Sequence, residues 1–140
     1  MDDGVAFASL DLDSPDRFVA LRRALGVTTF GLNLILLRPR QQGRIHRHER
    51  QEEVYLVLEG TLTLAVEGEE RELAPGELAR VAPAVRRRLL NRGDELCAVL
   101  AIGSAHPHEG RDGIAYESWE ATEGRRPREI PLPDDLPEPG

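Results

Sequence analysis

From Val27 to about Gly103, apolar and polar positions follow a short two-residue rhythm broken every few residues by glycine or proline. Thr28 to Leu37 is rich in β-formers and closes at Arg38-Pro39; Val54 to Leu58 follows and ends at Glu59-Gly60. Thr61 to Val66 alternates and turns at Glu67-Gly68, and Glu72-Leu73 leads into Ala74-Pro75-Gly76. Leu78 to Val81, Val85 to Leu90 and Leu96 to Ile102 complete the series. Short strands between Gly/Pro turns predict an all-β sandwich or barrel. The absence of strand–helix alternation argues against a dinucleotide fold. The run at 54–58 is apolar on both faces, so its outward face needs a cover: a partner subunit, an N-terminal helix or the C-terminal segment.

The flanks read differently. Asp16 to Gly26 is expected to form one helix, with Ser14 as its cap, Pro15 in the first turn and Gly26 at its end. Its apolar face is Phe18, Leu21 and Leu25. From Gly124 onward Pro, Arg, Asp and Glu dominate, which predicts a tail that is extended over the surface or partly disordered rather than a packed element. The chain therefore divides into an N-terminal segment with a helix (1–26), a barrel (27–104) and a C-terminal loop and tail (105–140).

Composition narrows the function. A chain of 140 residues is one domain's worth, large enough to bury a core without staples. The formal net charge of -7 argues against a nucleic-acid partner. No apolar stretch approaches the ~20 residues of a membrane span, and the acidic start at Met1-Asp2-Asp3-Gly4 does not resemble a signal peptide. With Cys97 as the sole cysteine, the expectation is a cytoplasmic protein. No lysine is present, which excludes Schiff-base chemistry and a Walker-type phosphate loop.

The strongest chemical signal is Gly43-Arg44-Ile45-His46-Arg47-His48, followed by Glu53 and Gly60. Alternate residues of a strand share a face, so His46 and His48 project together. A turn at Glu49-Arg50-Gln51-Glu52 can return Glu53 opposite them. Two histidines and one carboxylate form the ligand set of non-heme iron sites, and imidazole also suits Mn, Ni and Zn.

These residues resemble the first motif of the cupin family, in which glycine, His-x-His, Glu and Gly recur. His46, His48, Glu53 and Gly60 match it, although Gly43 stands closer to His46 than the motif specifies. The words Glu72-Leu73-Ala74-Pro75-Gly76-Glu77-Leu78 and Val81-Ala82-Pro83, ending in Asn91, resemble the second motif. The resemblance covers about residues 30 to 103. It implies a double-stranded β-helix, a jelly-roll barrel that is usually a homodimer, with a divalent transition metal held by His46, His48 and Glu53 in its mouth.

In that family a further histidine follows the proline of the second motif. Aligning Pro83 and Asn91 puts Arg87 there, and Arg86 and Arg88 occupy the neighbouring registers. Three readings are open. Metal is kept and Arg87 holds a substrate anion; or metal is lost and Arg87 pairs with Glu53; or Arg87 points out of the mouth into solvent. Tyr55, on the face of Glu53, and Gln51, in the adjoining turn, join Arg87 as candidate ligand-binding residues. His106-Pro107-His108 repeats the His-x-His spacing beyond the last strand and reads as a surface loop. Cys97 reads as an inert buried thiol, and Tyr116 and Trp119 as anchors for the C-terminal segment. The expected function is a small-molecule-binding protein, as a metal-dependent oxygenase or isomerase acting on a small anionic metabolite. The alternative is a non-catalytic ligand-binding or sensory module with a degenerate metal site.

Overall fold

The computed structural model describes residues 3–104 and 112–138. Among the described residues ten strands form two five-stranded antiparallel sheets. They are β1 (Phe18–Ala20), β2 (Gly31–Leu37), β3 (Ile45–His48), β4 (Glu52–Glu59) and β5 (Leu62–Val66), then β6 (Glu69–Leu73), β7 (Leu78–Val81), β8 (Arg87–Leu90), β9 (Cys97–Ser104) and β10 (Gly113–Tyr116). One sheet runs β1-β2-β9-β4-β7 and the other β10-β3-β8-β5-β6. Their facing sides enclose a core of Ile35, Leu37, Tyr55, Val57, Leu62, Leu64, Leu73, Val81, Leu89, Cys97, Val99 and Ala101. Alternation decides which residues these are: Cys97, Val99 and Ala101 point inward, while Ala98 between them joins a second cluster outside. Burial in this apolar strand pushes the Cys97 thiol up to about 12, so it is an inert filler rather than a nucleophile.

The outer cluster consists of Leu21, Leu34, Leu36 and Ala98, flanked by Leu12 and Val19. The N-terminal segment thus supplies a cover for part of the outward face. Its helix is shorter than expected, occupying only Leu21–Leu25 (α1). Phe18, Val19 and Ala20 instead pair with Ile35, Leu34 and Asn33 as an edge strand. Three residues that satisfy their backbone groups on a sheet edge have no reason to form a helical turn. Ser14 caps no helix; its hydroxyl accepts the amide of Asp16 in a local turn. Gly26 does end the helix, in the left-handed conformation and with its amide on the Arg22 carbonyl.

The C-terminal segment is more ordered than its composition predicts. Strand β10 pairs with β3, placing Ala115 opposite His46 and Gly113 opposite His48. Tyr116 is buried, its hydroxyl accepts from the Arg47 Nε at 2.9 Å, and the Arg86 guanidinium stacks on its ring. Trp119 is half-buried and contributes its carbonyl to Arg86. The chain then returns as a strap: Arg125 bridges Ala115, Pro127–Glu129 form a 3₁₀ turn, and Ile130 is buried. His106 and His108 lie outside the described residues.

Gly60 shows why its motif needs glycine. It sits at φ +73°, beside the irregularity where β4 and β9 lose register, and a Cβ there would lie 2.2 Å from the Leu96 carbonyl oxygen. Neither the left-handed backbone nor the contact with another main chain can be relieved by rotating a side chain. Gly60→Ala is expected to destabilise the fold by about 2–4 kcal/mol in equilibrium denaturation. A loss under about 0.5 kcal/mol, the usual range of neutral surface changes, would show that the turn relaxes freely.

Candidate metal centre and ligand pocket

Both sheets contribute to one polar cluster at an end of the barrel. Strand β3 carries His46 and His48, β8 places Arg87 directly opposite His46, and β4 on the other sheet carries Glu53 and Tyr55. The ligating atoms of His46, His48 and Glu53 all lie within 4.8 Å of one another, so these three residues can hold a metal ion. The rings of the two histidines stand edge-on, with an interplanar angle of 89° and centroids 5.3 Å apart.

Hydrogen-bond partners fix the tautomers. His46 Nδ1 lies 3.2 Å from the Arg44 carbonyl, which can only accept, so this nitrogen is the donor. His48 Nδ1 lies 2.8 Å from Asp112 Oδ1. Burial works against ionisation of Asp112, but the amides of Arg50 and Gln51, then the Gln51 side chain and His48, outweigh it and hold its pKa low. An ionised carboxylate cannot donate, so His48 Nδ1 carries the proton. Both rings therefore present Nε2 to the cluster, with a lone pair whenever they are neutral.

His48 Nε2 is buried and has no hydrogen-bond partner, although Glu53 Oε1 is only 3.1 Å away. A ring lone pair and a carboxylate oxygen at that distance repel unless positive charge lies between them. A proton on His48 supplies it, and so does a metal ion. The same need appears in the His48 pKa: burial opposes the charged ring, yet the proximity of Glu53 outweighs it and the pKa is raised. An orphaned Nε2, a second Nε2 and a carboxylate oxygen, with one ring held by a carboxylate behind it, suit a divalent transition metal.

Glu53 Oε1 also accepts the Tyr55 hydroxyl at 2.6 Å and Arg87 Nη2 at 2.7 Å. Burial opposes ionisation of Glu53, but His46, His48 and then the Arg87 charge hold its pKa well below the ordinary carboxylate range. Burial and the neighbouring carboxylate push Tyr55 far upward, so its hydroxyl stays protonated and donates. Arg87 is fully buried. Its Nε donates to the Tyr55 oxygen at 3.2 Å, and Nη1 reaches the Val85 carbonyl at 2.7 Å. The solvent-facing reading of Arg87 is thereby excluded, and the ion pair with Glu53 is present. Gln51 is buried as well, with Nε2 donating to Asp112 Oδ1 at 2.7 Å.

A cavity of about 770 Å³ opens beside the histidines. His46 and His48 line it together with Ile35, Leu37, Leu89 and a basic group, Arg44, Arg126 and Arg128. Arg87, Tyr55 and Gln51 do not line it; they stand behind Glu53 and Asp112. Two residues of this centre escaped the sequence. Asp112 precedes a strand hidden within a polar segment, and no local pattern announces it. Gly103 faces β4, where a Cβ would lie 2.6 Å from Gln51 Oε1 and 3.3 Å from Glu53 Cγ, so its bareness makes room for both side chains.

A family model described as the cupin domain matches residues 33–103. Among solved structures, a cupin protein from Bacteroides fragilis is 24% identical with a TM-score of 0.65, covering 74% of this chain and 86% of its own. A Cupin 2 conserved barrel domain protein from Salinispora arenicola is 23% identical with a TM-score of 0.57, covering 69% and 81%. A structure named as a sugar phosphate isomerase of the cupin superfamily, from Silicibacter pomeroyi, is 26% identical with a TM-score of 0.62, covering 90% of this chain and 97% of its own. Comparison with curated proteins finds no match.

Removing Arg87 should cost more than its replacement can regain. Arg87→Met leaves the Glu53 carboxylate buried without its cation, and breaking a buried pair destabilises by about 3–5 kcal/mol. Urea denaturation of the metal-free variant checks this; a loss below about 1 kcal/mol would mean that Glu53 draws its compensation from elsewhere.

Proposed function

The chain belongs to the cupin domain family, and from that premise we propose a cytoplasmic, metal-dependent protein that binds a small anionic metabolite and catalyses its isomerisation. The observation that carries the metal is the orphaned Nε2 of His48 facing the Glu53 carboxylate. The name borne by the Silicibacter pomeroyi structure supports isomerase over oxygenase chemistry and a sugar phosphate as the kind of substrate.

His46, His48 and Glu53 would hold Fe, Mn, Ni or Zn. Once bound, the ion supplies Lewis acidity toward a substrate oxygen. The chain's own groups do the rest. Asp112, itself fixed by Gln51 and by the amides of Arg50 and Gln51, orients His48 through Nδ1. Arg87 and Tyr55 orient Glu53 and hold it ionised. We therefore place Arg87, Tyr55 and Gln51 as positioning residues for the ligand site. Ile35, Leu37 and Leu89 exclude water from one side of the cavity.

A second reading has its own observation. Arg87 neutralises Glu53 without any metal, as a binding module with a lapsed metal site would require. Metal analysis separates the two. Protein purified without chelator or affinity-tag metal should carry about one divalent ion per chain, and His46→Ala/His48→Ala should carry none. Occupancy below about a tenth, with no thermal shift on adding Mn, Fe, Ni or Zn, would favour the non-catalytic module. Asp112→Asn should weaken metal binding by about 10–100-fold while the barrel still folds; unchanged affinity would remove Asp112 from the centre.

The outer face of β4 and β7 points to the partner. Val54 and Leu56 are only half-buried and Leu78 is 62% exposed, leaving an apolar patch beyond the reach of the N-terminal cover. We assign it to a homodimer contact. Leu56→Arg/Leu78→Asp should convert a dimer to a monomer in sedimentation, and an unaltered mass would locate the contact elsewhere.

A further inference from the structure

Resting on the ligand pocket assigned above, we propose that Arg44 and the C-terminal strap residue Arg128 form a subsite for the anionic group of the bound molecule, a phosphate or a carboxylate. Both line the cavity that His46 and His48 line, so one molecule filling it meets the metal centre and the arginines together. A volume of about 770 Å³ is ample for a small phosphorylated or carboxylated metabolite.

These cations lack the partners that others in the chain have. Arg80 pairs with Glu52, Arg92 with Glu70 and Arg87 with Glu53. Among the described residues neither Arg44 nor Arg128 pairs with a carboxylate, in a chain with 25 acidic residues and a net charge of -7. Carboxylates do stand nearby: Glu49, Asp112 and Glu129 line the adjoining cleft with Arg125 and Arg126, not this cavity. Arg44 is also half-buried and shares its surroundings with Arg17, and burial and that second cation both lower its pKa. Arg44 and Arg17, two guanidinium groups near one another with no carboxylate partner among the described residues, cost stability unless an anion joins them.

The arrangement is pre-organised. Arg44 Nε donates to the Ile130 carbonyl at 2.6 Å, which holds the side chain along the strap and leaves both Nη groups without a hydrogen-bond partner among the described residues. A guanidinium fork held in this way suits the paired oxygens of phosphate or carboxylate. Gly113 keeps the route between strap and metal centre open: a Cβ there would lie 3.4 Å from Pro127 Cγ and 3.8 Å from His48 Cε1, so any larger side chain would fill the gap.

Calorimetric titration of the full-length, chelator-treated protein with inorganic phosphate, at constant ionic strength in chloride, tests the subsite apart from the metal. Wild type should bind phosphate saturably, and Arg128→Gln should bind it about tenfold more weakly, the loss of one charge-assisted contact. Arg44→Gln should do the same, but it also loosens the strap. Arg128, whose side chain makes no hydrogen bond or ion pair among the described residues, is therefore the deciding variant. His46→Ala/His48→Ala should abolish metal uptake yet leave phosphate affinity within about twofold, so a missing metal and a missing anion site give different results. Acetate displacing phosphate would assign carboxylate ligands to the subsite, and displacement by sulfate alone would assign phosphate esters. Equal phosphate affinity in wild type and Arg128→Gln, or no saturable binding by wild type, would overturn the proposal.

Discussion

One buried carboxylate oxygen joins the two halves of this barrel. Glu53 comes from one sheet, while His46, His48 and Arg87 come from the other, and Oε1 of Glu53 is the point on which all three converge. Taking a carboxylate out of water costs several kcal/mol even after relaxation, so an unsupported Glu53 would protonate or force the sheets apart. Arg87 and Tyr55 prevent both by donating to the same oxygen. The centre is thus part of the fold's stability as well as its chemistry, and this explains why residues so far apart in sequence as Glu53 and Arg87 need a fixed strand register. Asp112 extends the logic outward: four donors converge on it, two of them main-chain amides of the β3–β4 turn, and through His48 they tie the C-terminal segment to the same cluster.

Arg87 would tune a metal held by His46, His48 and Glu53 rather than forbid it. A guanidinium about 5 Å from a dication repels it by several kcal/mol at an effective dielectric of about 20. Glu53, which pairs with Arg87 and would also bind the ion, would attract both charges. The net effect would be a weaker site than a neutral fourth ligand would give. Without a metal, His48 Nε2 takes up a proton more readily, because Glu53 outweighs the burial that opposes it.

Much of this was legible in the sequence, for identifiable reasons. Strand positions follow from alternation and Gly/Pro turns, and His46, His48, Glu53 and Gly60 from a motif whose glycine is required by a left-handed turn against the Leu96 carbonyl. What failed involved partners distant in the chain. Phe18–Ala20 carries a helical pattern, yet its amides are claimed by the edge of β2. Gly113–Tyr116 lies in a polar, charged stretch, and only pairing with β3 makes it a strand. Parity placed Arg87 inward correctly, but parity does not disclose what meets the guanidinium there. Its donors end on Glu53, Tyr55 and the Val85 carbonyl, so of the readings open for Arg87 the pairing with Glu53 is the one these hydrogen bonds display.

That reassignment changes how the pocket must recognise charge. Two neutral imidazoles and a carboxylate already balanced by Arg87 form a donor set with no net charge. A divalent ion placed there makes it strongly positive and favours an anionic or oxygen-rich ligand, but only at the metal itself. Specificity for the remainder of such a ligand has to come from groups elsewhere in the cavity. The inner wall offers only Ile35, Leu37 and Leu89, which cannot select charge. The basic residues are on Arg44 and on the returning C-terminal strap, which is absent from the matched family region at 33–103. On the proposed reading the barrel would carry the chemistry, and Arg44 together with the returning strap would choose among ligands.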